Sequence, residues 1–156
     1  MANSSETQTE FLTIEHDELA VLAGKYLKKS RCPIVLVKNQ LMYSQEQPDV
    51  IAFGLLYPMV VVVEVKTSRA DFKKDQLKPF RTSPEKGMGS SRYYCCPDGL
   101  IKPEELPPLW GLLYYRNGKI EQIVRSGLFK NHNHLAERYL LLYYLKHPEV
   151  YEANKI

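Results

Sequence analysis

Two nearly unbroken apolar runs, Asp49-Val50-Ile51-Ala52-Phe53-Gly54 and Val60-Val61-Val62-Val63-Glu64-Val65, stand only five residues apart and constrain the fold more than any other feature. Runs this rich in β-branched residues favour strands, and the near absence of polar alternation means that both faces of each strand are covered. Tyr57-Pro58 between them suits a turn, so the two runs are expected to pair as a hairpin. A sheet covered on both faces requires helices on both sides, and the rest of the chain supplies candidates.

Ile14, Leu19, Leu22, Ala23 and Tyr26 recur at helical spacing, which predicts an amphipathic helix from about Thr13 to Lys29. Arg31-Cys32-Pro33 ends it, and Ile34 to Val37 is a short strand. After Lys66, Thr67 or Ser68 can cap a helix running through Asp71, Phe72, Asp75 and Leu77 towards Pro79. Thr82 to Ser91, with one proline, two glycines and three serines, reads as a mobile loop. Arg92 to Cys96 is a strand, and proline-rich Pro97 to Pro108 crosses the surface with at most one helical turn. Trp110 to Tyr115 and Lys119 to Val124 are strands joined by Asn117-Gly118, a strong hairpin signal. His134 to Lys146 is a closing helix with Leu135, Tyr139, Leu142 and Tyr143 on one face. The expected architecture is α/β: a central mixed β-sheet flanked by helices, in the order helix, three strands, helix, three strands, helix.

Residues 1–10 are polar and read as a disordered tail, leaving 11–156 as one domain. With 44% hydrophobic and 25% charged residues, that length supports a real core. A net charge of +3 permits a nucleic-acid partner without demanding one. Cys32, Cys95 and Cys96 are odd in number and suggest no disulfide framework, which fits a reducing, cytoplasmic setting. The polar N-terminus lacks a signal-peptide pattern and Met59 to Val63 is too short to span a bilayer, so no membrane association is expected.

Charge at the ends of the central runs needs a reason, because desolvating ions costs several kcal/mol each unless they are paired or bind metal. Asp49 begins the first run, and Glu64 and Lys66 end the second, two residues apart and so on one face. In a hairpin the start of the first strand lies beside the end of the second, which puts Asp49 opposite Glu64. The two carboxylates with the backbone carbonyl of Val65 form an oxygen set suited to Mg²⁺, with Mn²⁺ as a substitute. A metal there polarises a phosphate and acidifies a bound water, while Lys66 orients that water or neutralises developing charge. The reaction expected of such a centre is hydrolysis of a phosphodiester bond. Lys73, Lys74, Lys78 and Arg81 give the following segment a basic face able to track a phosphate backbone.

Pro48-Asp49 followed by Glu64-Val65-Lys66 resembles the motif of the PD-(D/E)XK nuclease superfamily. Thr67-Ser68-Arg69-Ala70-Asp71-Phe72, with Asp75 and Lys78 beyond, resembles its MmcB-like DNA-repair branch, and the likeness runs from about Thr13 through Trp110-Gly111-Leu112-Leu113. That resemblance implies a restriction-endonuclease-like core with a central four-stranded mixed sheet, Mg²⁺ dependence, and DNA as substrate in repair, recombination or phage-related processing. It also implies a further carboxylate from the first helix, for which Glu18 is the best match with Glu15 and Asp17 as rivals. A polar residue on the helix after the motif is implied too, and Lys78 ranks ahead of Gln76 for that place.

Other groups carry blander readings. His132 and His134 lack a full ligand set and read as helix-entry residues. Cys95 and Cys96 read as small strand residues, and the Tyr114-Tyr115 and Tyr143-Tyr144 pairs as core or interface. Asp75 near Lys74 or Lys78 fits plain helix-surface pairing. A non-cleaving DNA- or protein-binding module of the same fold is the rival to an enzyme. The oligomeric state, a homodimer included, is left open by the residues.

Overall fold

A computed structural model of the chain describes residues 14–39, 46–56 and 59–156. The expected tail, Thr13 and the Tyr57-Pro58 turn lie outside the described residues. The elements run α1 (His16–Lys29), β1 (Ile34–Val37), β2 (Val50–Phe53), β3 (Val60–Val65), α2 (Arg69–Asp75), α3 (Pro79–Thr82), β4 (Ser91–Pro97), β5 (Gly111–Arg116), β6 (Lys119–Val124), α4 (His134–Lys146) and α5 (Pro148–Asn154). Short 3-10 turns lie at Pro84–Lys86 and Pro103–Glu105.

The six strands form one mixed sheet in the order β1-β2-β3-β4-β5-β6. Strands β1, β2 and β3 pair antiparallel, with Val50 opposite Val63 and Phe53 opposite Val60. Strands β3, β4 and β5 run parallel, and β6 returns antiparallel to β5. Parallel pairing of β3 and β4 requires a crossover, and α2 and α3 supply it. Asn117 and Gly118 both take positive φ (48° and 77°), the conformation that a tight two-residue hairpin demands.

Helix α1 covers one face. Its buried Leu19, Ala20, Ala23 and Leu27 pack on Val35, Val37, Val50, Ala52, Val61, Val63 and Val65. A Cβ on Gly24 would stand 2.9 Å from Ile156 and 3.0 Å from Val37, so glycine here lets the helix seat closely on the strands. Helix α4 covers the other face, where Leu140 and Tyr144 meet Leu36, Ile51, Phe53, Val62 and Met88. Farther along that face Phe72 of α2 joins Tyr94, Trp110, Leu112 and Phe129. The complete burial of β2 follows from this two-sided cover. Among the described residues no helix is long and apolar enough to cross a membrane.

Four local expectations are corrected. The helix expected from Thr67 or Ser68 to Pro79 ends at Asp75, and α3 starts afresh with Pro79 at its first turn, where the missing N–H costs nothing. Ser68 does cap α2, accepting the Asp71 N–H at 3.2 Å. The segment from Thr82 to Ser91 is no loose loop. Met88 is wholly buried, and the Arg92 guanidinium donates to the carbonyls of Pro84, Gly87 and Gly89 at 2.8–3.0 Å. Burial lowers the Arg92 pKa to about 10. On α4, Leu135, Tyr139 and Leu142 are exposed and only Tyr143 of the expected face packs inward, because a helix apolar on nearly every side gives periodicity no face to choose. Finally, α5 follows α4 after Pro148, an element that the sequence reading did not include.

Candidate functional site

The hairpin register brings Asp49 and Glu64 together. Val50 pairs with Val63, so Asp49 stands one step beyond the ladder, beside Glu64. Its Oδ2 accepts the Val65 N–H at 2.8 Å, taking the place of a strand carbonyl. The N–H and C=O of one strand residue point the same way, so the Val65 carbonyl also faces the Asp49 side. Asn39 holds the approach to Asp49 by donating to the carbonyls of Leu36 (3.2 Å) and Pro48 (2.9 Å), and Tyr144 donates in turn to Asn39 at 2.7 Å.

Helix α1 contributes His16, whose Nε2 lies 3.4 Å from Asp49 Oδ2. The hydrogen bond to Asp49 raises the imidazole pKa to about 9 despite partial burial. Asp17 turns instead to Lys38 at 2.8 Å. Glu18 is exposed and sits two positions, about 200° of helix rotation, beyond His16. The first-helix side chain that meets Asp49 is therefore a histidine, where the resemblance implied a carboxylate. A polar hollow of about 240 Å³ opens here, lined by His16, Asp17, Lys38, Asn39, Pro48 and Asp49.

Behind Asp49 lies a buried ionic network. The Glu64 side chain, 4% exposed, has Arg81 Nη2 3.0 Å from Oε1 and Lys66 Nζ 3.6 Å from Oε2. Burial raises its pKa to about 7, with Asp49 and Asp75 adding to the rise and Arg81 and Lys66 opposing it. Lys66 bridges to Asp75 Oδ1 at 3.4 Å. Asp75, 1% exposed, also takes Lys78 at 2.9 Å, Arg81 at 2.8 Å and the Tyr94 hydroxyl at 2.7 Å. Burial pushes its carboxyl up, but the charges of Arg81 and Lys66 outweigh that and hold it well below the usual carboxylate range. Arg81 completes the network with Glu46 at 2.9 Å, and Glu46 accepts the Met88 N–H at 2.6 Å.

Helix periodicity accounts for Asp75: three residues after Phe72, it shares the buried stripe of α2 rather than the surface. Arg81 is likewise withdrawn from the expected basic face, since its side chain is 2% exposed and stacks within 4.7 Å of Phe80 and Trp110. Lys73 and Lys74 remain exposed, and Lys78 is half-exposed over Asp75. Gln76 is half-buried at the C-terminal end of α2. Glu46, Arg81 and Tyr94 were not legible as network members, because they come from three separate segments with no shared spacing.

The donor set suits a hard divalent cation. Asp49, Glu64 and the Val65 carbonyl all offer oxygens, and of the three residues Asp49 lines the polar hollow. The carboxylates and cations here also balance: Glu46, Asp49, Glu64 and Asp75 face His16, Lys66, Lys78 and Arg81. Pairing of this kind is what permits so many ions to be buried.

No protein-family model and no curated protein matches the chain. The fold is similar to the solved structure of a protein of unknown function from Silicibacter pomeroyi, with a TM-score of 0.60 and 20% identity, covering 88% of this chain and 96% of that one. That likeness is one of architecture: an α/β protein with a mixed sheet flanked by helices.

Proposed function

We propose that the chain is a metal-dependent phosphodiesterase acting on DNA, built on a restriction-endonuclease-like core. The observation that carries this reading is the register that sets Asp49 beside Glu64 at the end of a buried hairpin, with Lys66 two residues on. Asp49, Glu64 and the Val65 carbonyl would hold Mg²⁺ or Mn²⁺, which supplies Lewis-acid polarisation of a phosphate and a more acidic water. Asp49 is held in place by the Val65 N–H, so its other oxygen is presented without a search over rotamers. Lys66 is positioned between Glu64 and Asp75, from where its ammonium can meet charge developing on phosphorus. Lys78, with Lys73 and Lys74, would hold flanking phosphates.

A second reading, a non-cleaving DNA- or protein-binding module, is favoured by one observation: Glu64 is closed beneath Arg81. Incubating the purified protein and Lys66→Ala with labelled single-stranded, double-stranded and branched DNA in Mg²⁺ or Mn²⁺ separates the two. Cleavage by the parent that is lost in the variant and in chelator supports the enzyme. Absence of cleavage on every substrate refutes it, and retained DNA binding in that case selects the module.

A further inference from the structure

A second group of ligands lies on the opposite side of the sheet from α1, at the start of α4. Asn133 donates its backbone N–H to Gly87 O (2.8 Å) and its side-chain amide to Lys86 O (3.1 Å), while its Oδ1 caps α4 by accepting the Ala136 N–H (3.0 Å). This single anchored residue fixes the two histidines that flank it. The rings of His132 and His134 stand 4.0 Å apart. Glu137, one helical turn beyond His134, reaches both: Oε1 lies 2.5 Å from His132 Nδ1 and Oε2 lies 3.6 Å from His134 Nδ1. The Gly89 N–H also donates to Glu137 Oε1 at 3.0 Å, so the carboxylate is oriented from a second segment.

One ligand atom from each of His132, His134 and Glu137 lies within 4.8 Å of the others. Ligands about 2.0–2.1 Å from a tetrahedral Zn²⁺ are roughly 3.3 Å apart, so small side-chain adjustments bring the three to coordinating positions. His132 and Glu137 are buried while His134 is exposed, an arrangement closed on one side and open on the other. The open side is a hollow of about 360 Å³ walled by Phe53, Leu55, Leu56, Met59 and Leu141, with Arg138 also lining it.

We propose that His132, His134 and Glu137 form a transition-metal site, with Zn²⁺ as the fitting ion and its fourth position facing this hollow. Two borderline imidazoles beside one hard carboxylate suit Zn²⁺, Co²⁺ or Ni²⁺ better than Mg²⁺, which sets the site apart chemically from the all-oxygen Asp49 and Glu64 set. Three protein ligands with one open position also differ from closed structural zinc sites, which use four. The fourth position takes water or a small anion, and Arg138 on the wall of the hollow favours the anion.

The test uses the full chain without a histidine tag, stripped with chelator and titrated with Zn²⁺ alone by calorimetry, with Co²⁺ absorption as a second readout. The expected result is one tightly bound equivalent of Zn²⁺ per chain that persists in excess Mg²⁺, a tetrahedral Co²⁺ spectrum, and affinity of that equivalent lowered at least about tenfold in His134→Ala and Glu137→Gln, since even outer-shell partners are worth that much. His134 is exposed, so its removal spares the fold, and Glu137→Gln keeps an acceptor for Gly89. Asp49→Asn is expected to leave Zn²⁺ affinity unchanged. Failure of the parent to bind Zn²⁺, equal affinity in parent and His134→Ala, or loss in Asp49→Asn alone overturns the proposal. Nuclease assays do not enter this test, so its outcome is independent of the reading of Asp49 and Glu64.

Discussion

Replacing Arg81 by methionine keeps the apolar stem between Phe80 and Trp110 but removes a cation that Glu46, Glu64 and Asp75 share. Removing one member of a buried ion pair costs about 3–5 kcal/mol, because the partner is left charged and unsolvated. Three carboxylates do not triple that cost. Asp75 keeps Lys66, Lys78 and the Tyr94 hydroxyl, and Glu46 keeps the Met88 N–H. Glu64 is already raised to about 7 and can take a proton near neutral pH at small cost. The expected loss therefore stays at about 3–5 kcal/mol, and at about 2–4 °C per kcal/mol for a domain of this size the melting temperature falls by roughly 6–20 °C. Urea denaturation at pH 7 checks this through a lower midpoint at unchanged slope. Adding Glu64→Gln to Arg81→Met should recover about 0.5–3 kcal/mol, the coupling typical of residues in one network. A loss under about 1 kcal/mol, the value of an exposed pair, would refute the reasoning.

Two predictions concern pH. By NMR titration His16 should titrate near 9, and Asp49→Asn should return it towards 6.5; an unchanged value in the variant would show that Asp49 is not the cause. Because the folded pKa is raised, the His16 contribution to stability is complete below 6.5 and is lost as pH rises through about 9. For Glu64 the folded pKa is also raised, from 4.5 to about 7, so the protonated form is favoured on folding and its contribution is lost as pH climbs across that window. Urea midpoints between pH 4.5 and 7 should fall less steeply in Glu64→Gln than in the parent, and equal slopes would count against the assignment.

The central hairpin was legible because Val50 to Phe53 and Val60 to Val65 leave no polar face for solvent, and its register then followed from turn length. The juxtaposition of Asp49 and Glu64 was legible for the same reason. Segments whose conformation is set by tertiary partners were not. Thr82 to Ser91 has loop composition, yet buried polar groups of Glu46, Arg92 and Glu137 hold it, and Glu46 and Glu137 reach it from 42 and 48 residues away in sequence. Local spacing on α2 and beyond suggested exposed lysine and arginine faces, but it could not reveal that Asp75 shares the inward stripe with Phe72 or that Arg81 folds back to meet it. The His132, His134 and Glu137 group was half visible: the i, i+2 histidines stood out, but the third ligand became apparent only once Asn133 fixed the entry to α4.

Arg92 grips its neighbouring segment through the carbonyl oxygens of Pro84, Gly87 and Gly89. A carbonyl is common to every residue type, so the grip does not depend on the side chains it passes. Exposed Glu85 and Lys86 can therefore be exchanged, tagged or recoded with little effect on the folded state. Gly87 cannot, since a Cβ there would stand 2.8 Å from the guanidinium. The stretch offers a rigid surface platform whose shape is set from beneath and whose chemistry is open to variation from above.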